Sequence, residues 1–162
     1  GSGLLGMSDL TVLGVDPGGK WTGMVLRAHT GDVIVNVLGI RDDDEPIHEY
    51  GAAMRETLFE LGDGHQIDAI ALEGLTEPNP HMGMINVGGL LDTAVVYGAI
   101  GAWPWPVPVY IVEPGGHGSA PLAAYPGELI GEREKKGTGV LKHCRSAWDI
   151  AGVGCVMHRA AG

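Results

Sequence analysis

Two carboxylates in this chain stand where chemistry is done in open α/β sheets. Asp16 closes the apolar run Thr-Val-Leu-Gly-Val-Asp at 11–16, and Glu73 closes Ile-Asp-Ala-Ile-Ala-Leu-Glu at 67–73. Each falls at the C-terminal end of a predicted strand, the edge where ligands gather in such sheets. If the two strands are neighbours, so are the acids, and like charges a few ångströms apart resist joint ionisation. A divalent cation removes that penalty. Asp149, on the polar face of a predicted C-terminal helix able to pack over the same edge, would complete an all-oxygen set suited to Mg²⁺ or Mn²⁺. The plainer alternative is that strand-end acids cap loops and that Asp149 pairs with Arg145 four residues earlier, a surface pair of little worth.

The elements that must position these acids follow from spacing. Residues 11–16, a Pro-Gly-Gly turn and the run 21–27 read as a β-hairpin. Residues 32–40 make a third strand, with Val33, Val35 and Val37 on one face. Asp44 and Glu45 precede Pro46, after which Ile47, Tyr50, Met54, Leu58 and Leu61 recur at helical spacing until Gly62-Asp63-Gly64 stops them. The fourth strand, 67–73, follows. A strand, a helix and another strand imply a right-handed crossover and a parallel pair.

Residues 84–103 are almost entirely apolar, long enough to raise a membrane span. Asp92 near the middle, the glycines at 88, 89, 98 and 101, and the lack of flanking basic residues favour a buried helix and no membrane. A helix apolar on every side needs cover on every side. The sheet supplies one cover and a second copy of the chain the other, which makes 84–103 the candidate homodimer contact. Residues 107–112 give the fifth strand. The Gly- and Pro-rich stretch 114–139, with its charged Gly-Glu-Arg-Glu-Lys-Lys-Gly run, reads as a long loop that orders on substrate. The last helix is expected over 140–158, with Val140, Cys144, Ala147, Trp148, Ala151 and Cys155 as a packing stripe and Lys142, Arg145, Ser146 and Asp149 on a different face.

Bulk properties narrow the classes. At 162 residues the chain suits one compact domain. Gly-Ser-Gly-Leu-Leu-Gly at 1–6 reads as an expression scar, which leaves a single domain over 7–162 that begins at Met7. Cys144 and Cys155 fit no zinc-ligand spacing and read as buried thiols of a reducing cytoplasm. The formal net charge of −10 argues against a protein that grips nucleic acid over its whole surface. The charge is uneven, however. Residues 131–162 hold six basic side chains (Arg133, Lys135, Lys136, Lys142, Arg145, Arg159) against three acids, whereas 1–130 hold four against seventeen. Arg133, Lys135, Lys136, Lys142 and Arg145 are therefore the candidate phosphate contacts, with Lys20 beside Asp16 as a further one. Gly14 to Lys20 has the G-x-x-x-x-G-K spacing of a nucleotide-binding loop. The chemistry excludes it: Trp21 stands where Ser or Thr must meet Mg²⁺, and Asp16 puts a negative charge inside the phosphate cradle.

Three segments resemble the RuvC family of Holliday-junction resolvases. Leu13-Gly14-Val15-Asp16-Pro17-Gly18 with Thr22-Gly23 is similar to that family's first-strand signature. Ala69-Ile70-Ala71-Leu72-Glu73 is similar to the second, and Ser146-Ala147-Trp148-Asp149-Ile150-Ala151 to the third. The run His143-Cys144-Arg145-Ser146-Ala147-Trp148-Asp149 most resembles phage-borne members. The resemblance implies a ribonuclease-H-like α/β fold, with a mixed five-stranded sheet flanked by helices, and a homodimer that cuts symmetric strands of a four-way DNA junction. It also implies that Asp16, Glu73 and Asp149 bind two Mg²⁺ ions, with Mn²⁺ as the expected substitute, in the cytoplasm of a bacterial or phage-infected cell. Two departures stand out. Where cellular members carry a further Asp or His, three residues before the last acid, this chain has Ser146, so His143 or a water would serve there. No Phe or Tyr follows Glu73 among Leu75, Thr76, His81 and Met82, where the family places an aromatic to meet an unstacked base. Rival expectations are a nuclease of the same fold acting on flaps, other branched DNA or RNA, and a non-catalytic dimeric adaptor.

Overall fold

A computed structural model describes residues 10–76 and 87–162. Residues 1–6, His81, Met82 and the first residues of the expected 84–103 helix lie outside the described residues. In chain order the elements are β1 (Thr11–Asp16), β2 (Trp21–Ala28), β3 (Val33–Ile40), α1 (Ile47–Gly64), β4 (Ala69–Glu73), α2 (Val87–Gly101), β5 (Val109–Val112), α3 (Glu132–Lys135) and α4 (Lys142–Ala160). Two 3-10 turns, Leu122–Ala124 and Gly127–Leu129, lie between β5 and α3. The five strands form one mixed sheet in the order β3-β2-β1-β4-β5. β1, β2 and β3 pair antiparallel, and β4 and β5 run parallel to β1.

Strand periodicity decides which side chains face which layer, because successive residues point to opposite faces. Leu13, Val15, Met24, Leu26, Ile70 and Leu72 face one side, where they share a core with Tyr50, Met54 and Leu58 of α1 and Val96 and Ile100 of α2. Val12, Ala69, Ala71 and Val112 face the other side and pack under Ile150, Ala151 and Cys155 of α4. Asp16 and Glu73 continue this second set, so both acids belong to the face that α4 covers.

α4 lies close on the sheet because small residues let it. A Cβ at Gly14 would meet the Ala147 carbonyl oxygen, and one at Gly23 the His143 carbonyl oxygen. Since Gly23 pairs with Asp16, the first turn of α4 is held over the edge where the strand carboxylates stand. The helix then runs back across β1 and β4, with Gly154 against Val12 and Ala71.

The stretch after β5 differs from an open loop. Pro121 and Pro126 each precede a 3-10 turn, where their fixed φ suits helical geometry, and Tyr125 and Leu129 are buried. This segment covers one flank of α4, so Arg145 and Ser146, expected on its polar face, are buried. α2 leaves a stripe of Val87, Leu91 and Val95 exposed, at 61%, 61% and 38%. Among the described residues no helix is long and apolar enough to cross a membrane.

Candidate active site

β1 and β4 are adjacent and parallel, with Val15 opposite Leu72, so Asp16 and Glu73 leave the sheet side by side at one edge. Burial and the neighbouring Asp16 charge push the Glu73 carboxyl up to about 7, with His117 pulling the other way. Burial and the adjacent like charge thus raise the proton affinity of Glu73. The Asp16 side chain is 15% exposed, and its Oδ2 lies 3.5 Å from Nδ1 of His143. The His143 ring stacks on Trp21, with centroids 5.5 Å apart and 22° between planes, and its buried Nε2 has no hydrogen-bond partner among the described residues.

These groups open into a cleft of about 500 Å³ that Lys142, Arg145, Ser146 and His117 also line. Lys142 is exposed at the rim. Arg145 is otherwise engaged: its Nη1 donates to the Leu129 carbonyl at 3.0 Å, and its guanidinium lies over the Tyr125 ring at 6.0 Å. Asp149 does not join the pair. Its Oδ2 accepts the Gly118 backbone N–H at 2.7 Å and the Tyr125 hydroxyl at 2.8 Å, and it is absent from the cleft wall. The geometry of a helix accounts for this: six residues beyond His143 place Asp149 roughly 9 Å further along the α4 axis, on a different face.

Of the remaining candidates, Lys20 turns away from the carboxylates. Its Nζ donates to the Arg41 carbonyl at 2.6 Å and pairs with Asp43 at 3.0 Å. It lines a larger cleft of about 800 Å³ between the β1–β2 turn and α2, where Arg41 also pairs with Asp92 at 3.0 Å. Arg133, Lys135 and Lys136 are exposed on and after α3, away from the wall of either cleft, and Lys135 pairs with Glu132 at 3.2 Å.

His117 was missed by sequence reasoning. Its signal was available: the run Val112-Glu113-Pro114-Gly115-Gly116-His117 puts an imidazole just past the C-terminal end of β5, on the same sheet edge as the acids.

The donor set suits a hard cation. Among the described residues no three His, Cys, Asp or Glu side chains gather closely enough to enclose a metal ion. Mg²⁺ does not require that, since it keeps several waters and is bound by one or two carboxylates together with substrate phosphates. Two partly buried carboxylates open to a cleft, of which Glu73 has a raised proton affinity, fit that mode of binding.

No family model matches the chain, and no curated protein matches it. Solved structures do. Thermus thermophilus RuvC in complex with a Holliday junction substrate superimposes with a TM-score of 0.66 at 18% identity, covering 93% of this chain and 96% of that one. A second Thermus thermophilus RuvC structure gives a TM-score of 0.64 at 19% identity, covering 94% and 97%. Over the described residues, then, the chain has the fold of these RuvC structures, with Asp16 and Glu73 at the edge of its central strands.

Proposed function

We propose that this protein is a structure-specific DNA endonuclease that resolves four-way junctions by cation-dependent phosphodiester hydrolysis, acting as a homodimer. The observation that carries the reading is the juxtaposition of Asp16 and Glu73 at the open sheet edge, with the proton affinity of Glu73 raised. Its setting supports it, since the fold is that of a protein solved with a Holliday junction substrate.

Asp16 and Glu73 would hold Mg²⁺ or Mn²⁺. When bound there, the cation would lower the pKa of an attacking water and stabilise charge on the leaving oxygen. The protein's own groups do the rest. His143, braced by Trp21, fixes the Asp16 carboxylate. Lys142 at the rim meets backbone phosphate, and Ser146 offers a hydroxyl in the cleft wall. Arg133, Lys135 and Lys136 extend the phosphate-binding surface outward from α3. The exposed Val87, Leu91 and Val95 stripe on α2 supplies the dimer contact. Leu91→Glu is expected to convert a dimer to a monomer in sedimentation, and a monomeric parent at micromolar concentration would remove the dimer from the proposal.

The test of the activity is a panel of a labelled immobile four-way junction, a flap, a Y-fork and plain duplex, incubated in Mg²⁺ and in Mn²⁺. Paired symmetric nicks in the junction alone, lost in Asp16→Asn, are the expected outcome. Equal cutting of flaps and forks would replace the junction reading with a broader branched-DNA nuclease. No cleavage of any substrate would leave a dimeric binding module.

A further inference from the structure

The loop between β5 and the first 3-10 turn carries an imidazole that the carboxylate chemistry does not use. Val112 pairs with Glu73, so this loop starts at the carboxylate edge. Gly115, Gly116 and Gly118 turn it back with φ of 128°, 72° and 81°, a region that favours glycine. At Gly118 space is also short, since a Cβ there would lie 2.9 Å from both the Lys142 carbonyl oxygen and the Ser146 nitrogen of α4. Two further ties hold the loop down: Gly118 N–H donates to Asp149, and Ala120 N–H donates to the Tyr125 hydroxyl at 3.1 Å. The product of this folding is the placement of His117 in the wall of the cleft that holds Asp16 and Glu73.

The ring is fixed as well as placed. Nε2 of His117 lies 2.8 Å from the Glu113 carbonyl oxygen. A carbonyl only accepts, so Nε2 carries the proton and, in the neutral ring, Nδ1 carries the lone pair. Anchoring one ring N–H on a backbone carbonyl sets the tautomer and leaves Nδ1 as the free acceptor.

We propose that His117 is a catalytic residue, the proton acceptor for hydrolysis in this cleft. This rests on the nuclease reading above. In the step, a water oxygen forms a bond to phosphorus while one of its protons passes to Nδ1 of His117. The bond from phosphorus to the 3′ oxygen breaks, its electron pair stays on that oxygen, and solvent water protonates it. The products are a 5′ phosphate and a 3′ hydroxyl, and the imidazolium returns its proton to solvent.

Two measurements decide the role. In single-turnover cleavage of a four-way junction, His117→Ala should be slower by roughly 10²–10³-fold, the usual size of a general-base contribution. Junction affinity should hold, and added imidazole should restore at least part of the rate. In the unmodified protein, long-range proton–nitrogen spectra of the imidazoles at mildly alkaline pH should show His117 Nε2 protonated and Nδ1 as an acceptor. The Nδ1 resonance should move when junction DNA is added with Ca²⁺. The opposite tautomer, an unmoved Nδ1 with junction bound, an undiminished His117→Ala rate, or a loss that imidazole does not restore would each overturn it. A parent protein that cuts no DNA would remove the nuclease reading and this role together, whereas a parent that cuts while His117→Ala cuts equally fast removes only the role.

Discussion

Two clefts flank the β1–β2 turn, and they differ in how their charges are met. In the larger, Arg41 faces Asp92 at 3.0 Å and Lys20 faces Asp43 at 3.0 Å, so every one of these charges has an opposite partner. In the smaller, Asp16 and Glu73 stand side by side; Lys142 and Arg145 also line it, but among the described residues neither carboxylate is ion-paired to a Lys or Arg, and Asp16 has only the His143 imidazole at 3.5 Å. In the larger cleft both cations are paired with carboxylates, and the Arg41–Asp92 pair ties β3's end to α2 as a strut. The smaller keeps a charge problem that the fold does not solve. Unmet charge, rather than volume, distinguishes the chemical site from the structural one.

The sharpest way to break this contrast is to remove one of the unmet charges. Asp16→Asn is expected to lower single-turnover junction cleavage by about 10³-fold or more, equivalent to about 4 kcal/mol of barrier, with little loss of folding. Unchanged cleavage would move the chemistry elsewhere.

Glu73 gives the next largest effect, and its sign is specific. Its carboxyl sits at about 7 in the folded protein against an ordinary 4.5, so the folded state holds the proton more tightly than the unfolded one. Stability from this group is full below about 4.5 and lost as pH rises through about 7. In chelator, Glu73→Gln should therefore melt above the parent at alkaline pH, with the gap closing in acid. Adding Mg²⁺ should raise the parent's melting temperature and leave the variant's unmoved. Melting curves showing a less stable variant at alkaline pH in chelator would sink the like-charge account.

Asp149 differs from the strand acids in accepting two fixed hydrogen bonds, from the Gly118 N–H and the Tyr125 hydroxyl. Tyr125→Phe deletes one of its two bonds and is expected to cost about 1–2 kcal/mol of stability in denaturant unfolding. It should also slow cleavage by loosening the His117 loop. No change in either would deny the clasp a role. The smallest effect belongs to the strut. Asp92→Asn should cost about 0.5–1 kcal/mol, as partly exposed ion pairs do, and leave cleavage at the parent rate; a large loss of cleavage would make the second cleft chemical after all.

Much of this was legible in sequence because strands announce themselves locally. Apolar runs at 11–16 and 67–73, each closed by a carboxylate, placed Asp16 and Glu73 at strand ends, and the strand–helix–strand order implied a parallel pair, as β1 and β4 are. The resemblance to RuvC supplied the mixed five-stranded sheet flanked by helices, which the fold bears out. What was not legible depended on contacts distant in sequence. A helical wheel puts Arg145 and Ser146 beside Lys142 on a polar face, but it cannot show that both are buried, Arg145 donating to the Leu129 carbonyl and Ser146 lying against Gly118. Nor does it show that the first turn of α4, and not its middle, overlies Asp16, because that follows from the absence of side chains at Gly14 and Gly23. His117 was hidden in a stretch whose glycines and prolines read as loop, although those glycines are what direct it into the cleft.

The most direct measurement is paramagnetic broadening of backbone amide signals by substoichiometric Mn²⁺. Loss of signal centred on Asp16, Glu73 and the first turn of α4, with Arg41 and Asp92 retained, is the expected result. Broadening centred on the Arg41 and Asp92 cleft, or spread evenly over the acidic surface, would contradict the assignment of the chemistry to the Asp16 and Glu73 edge.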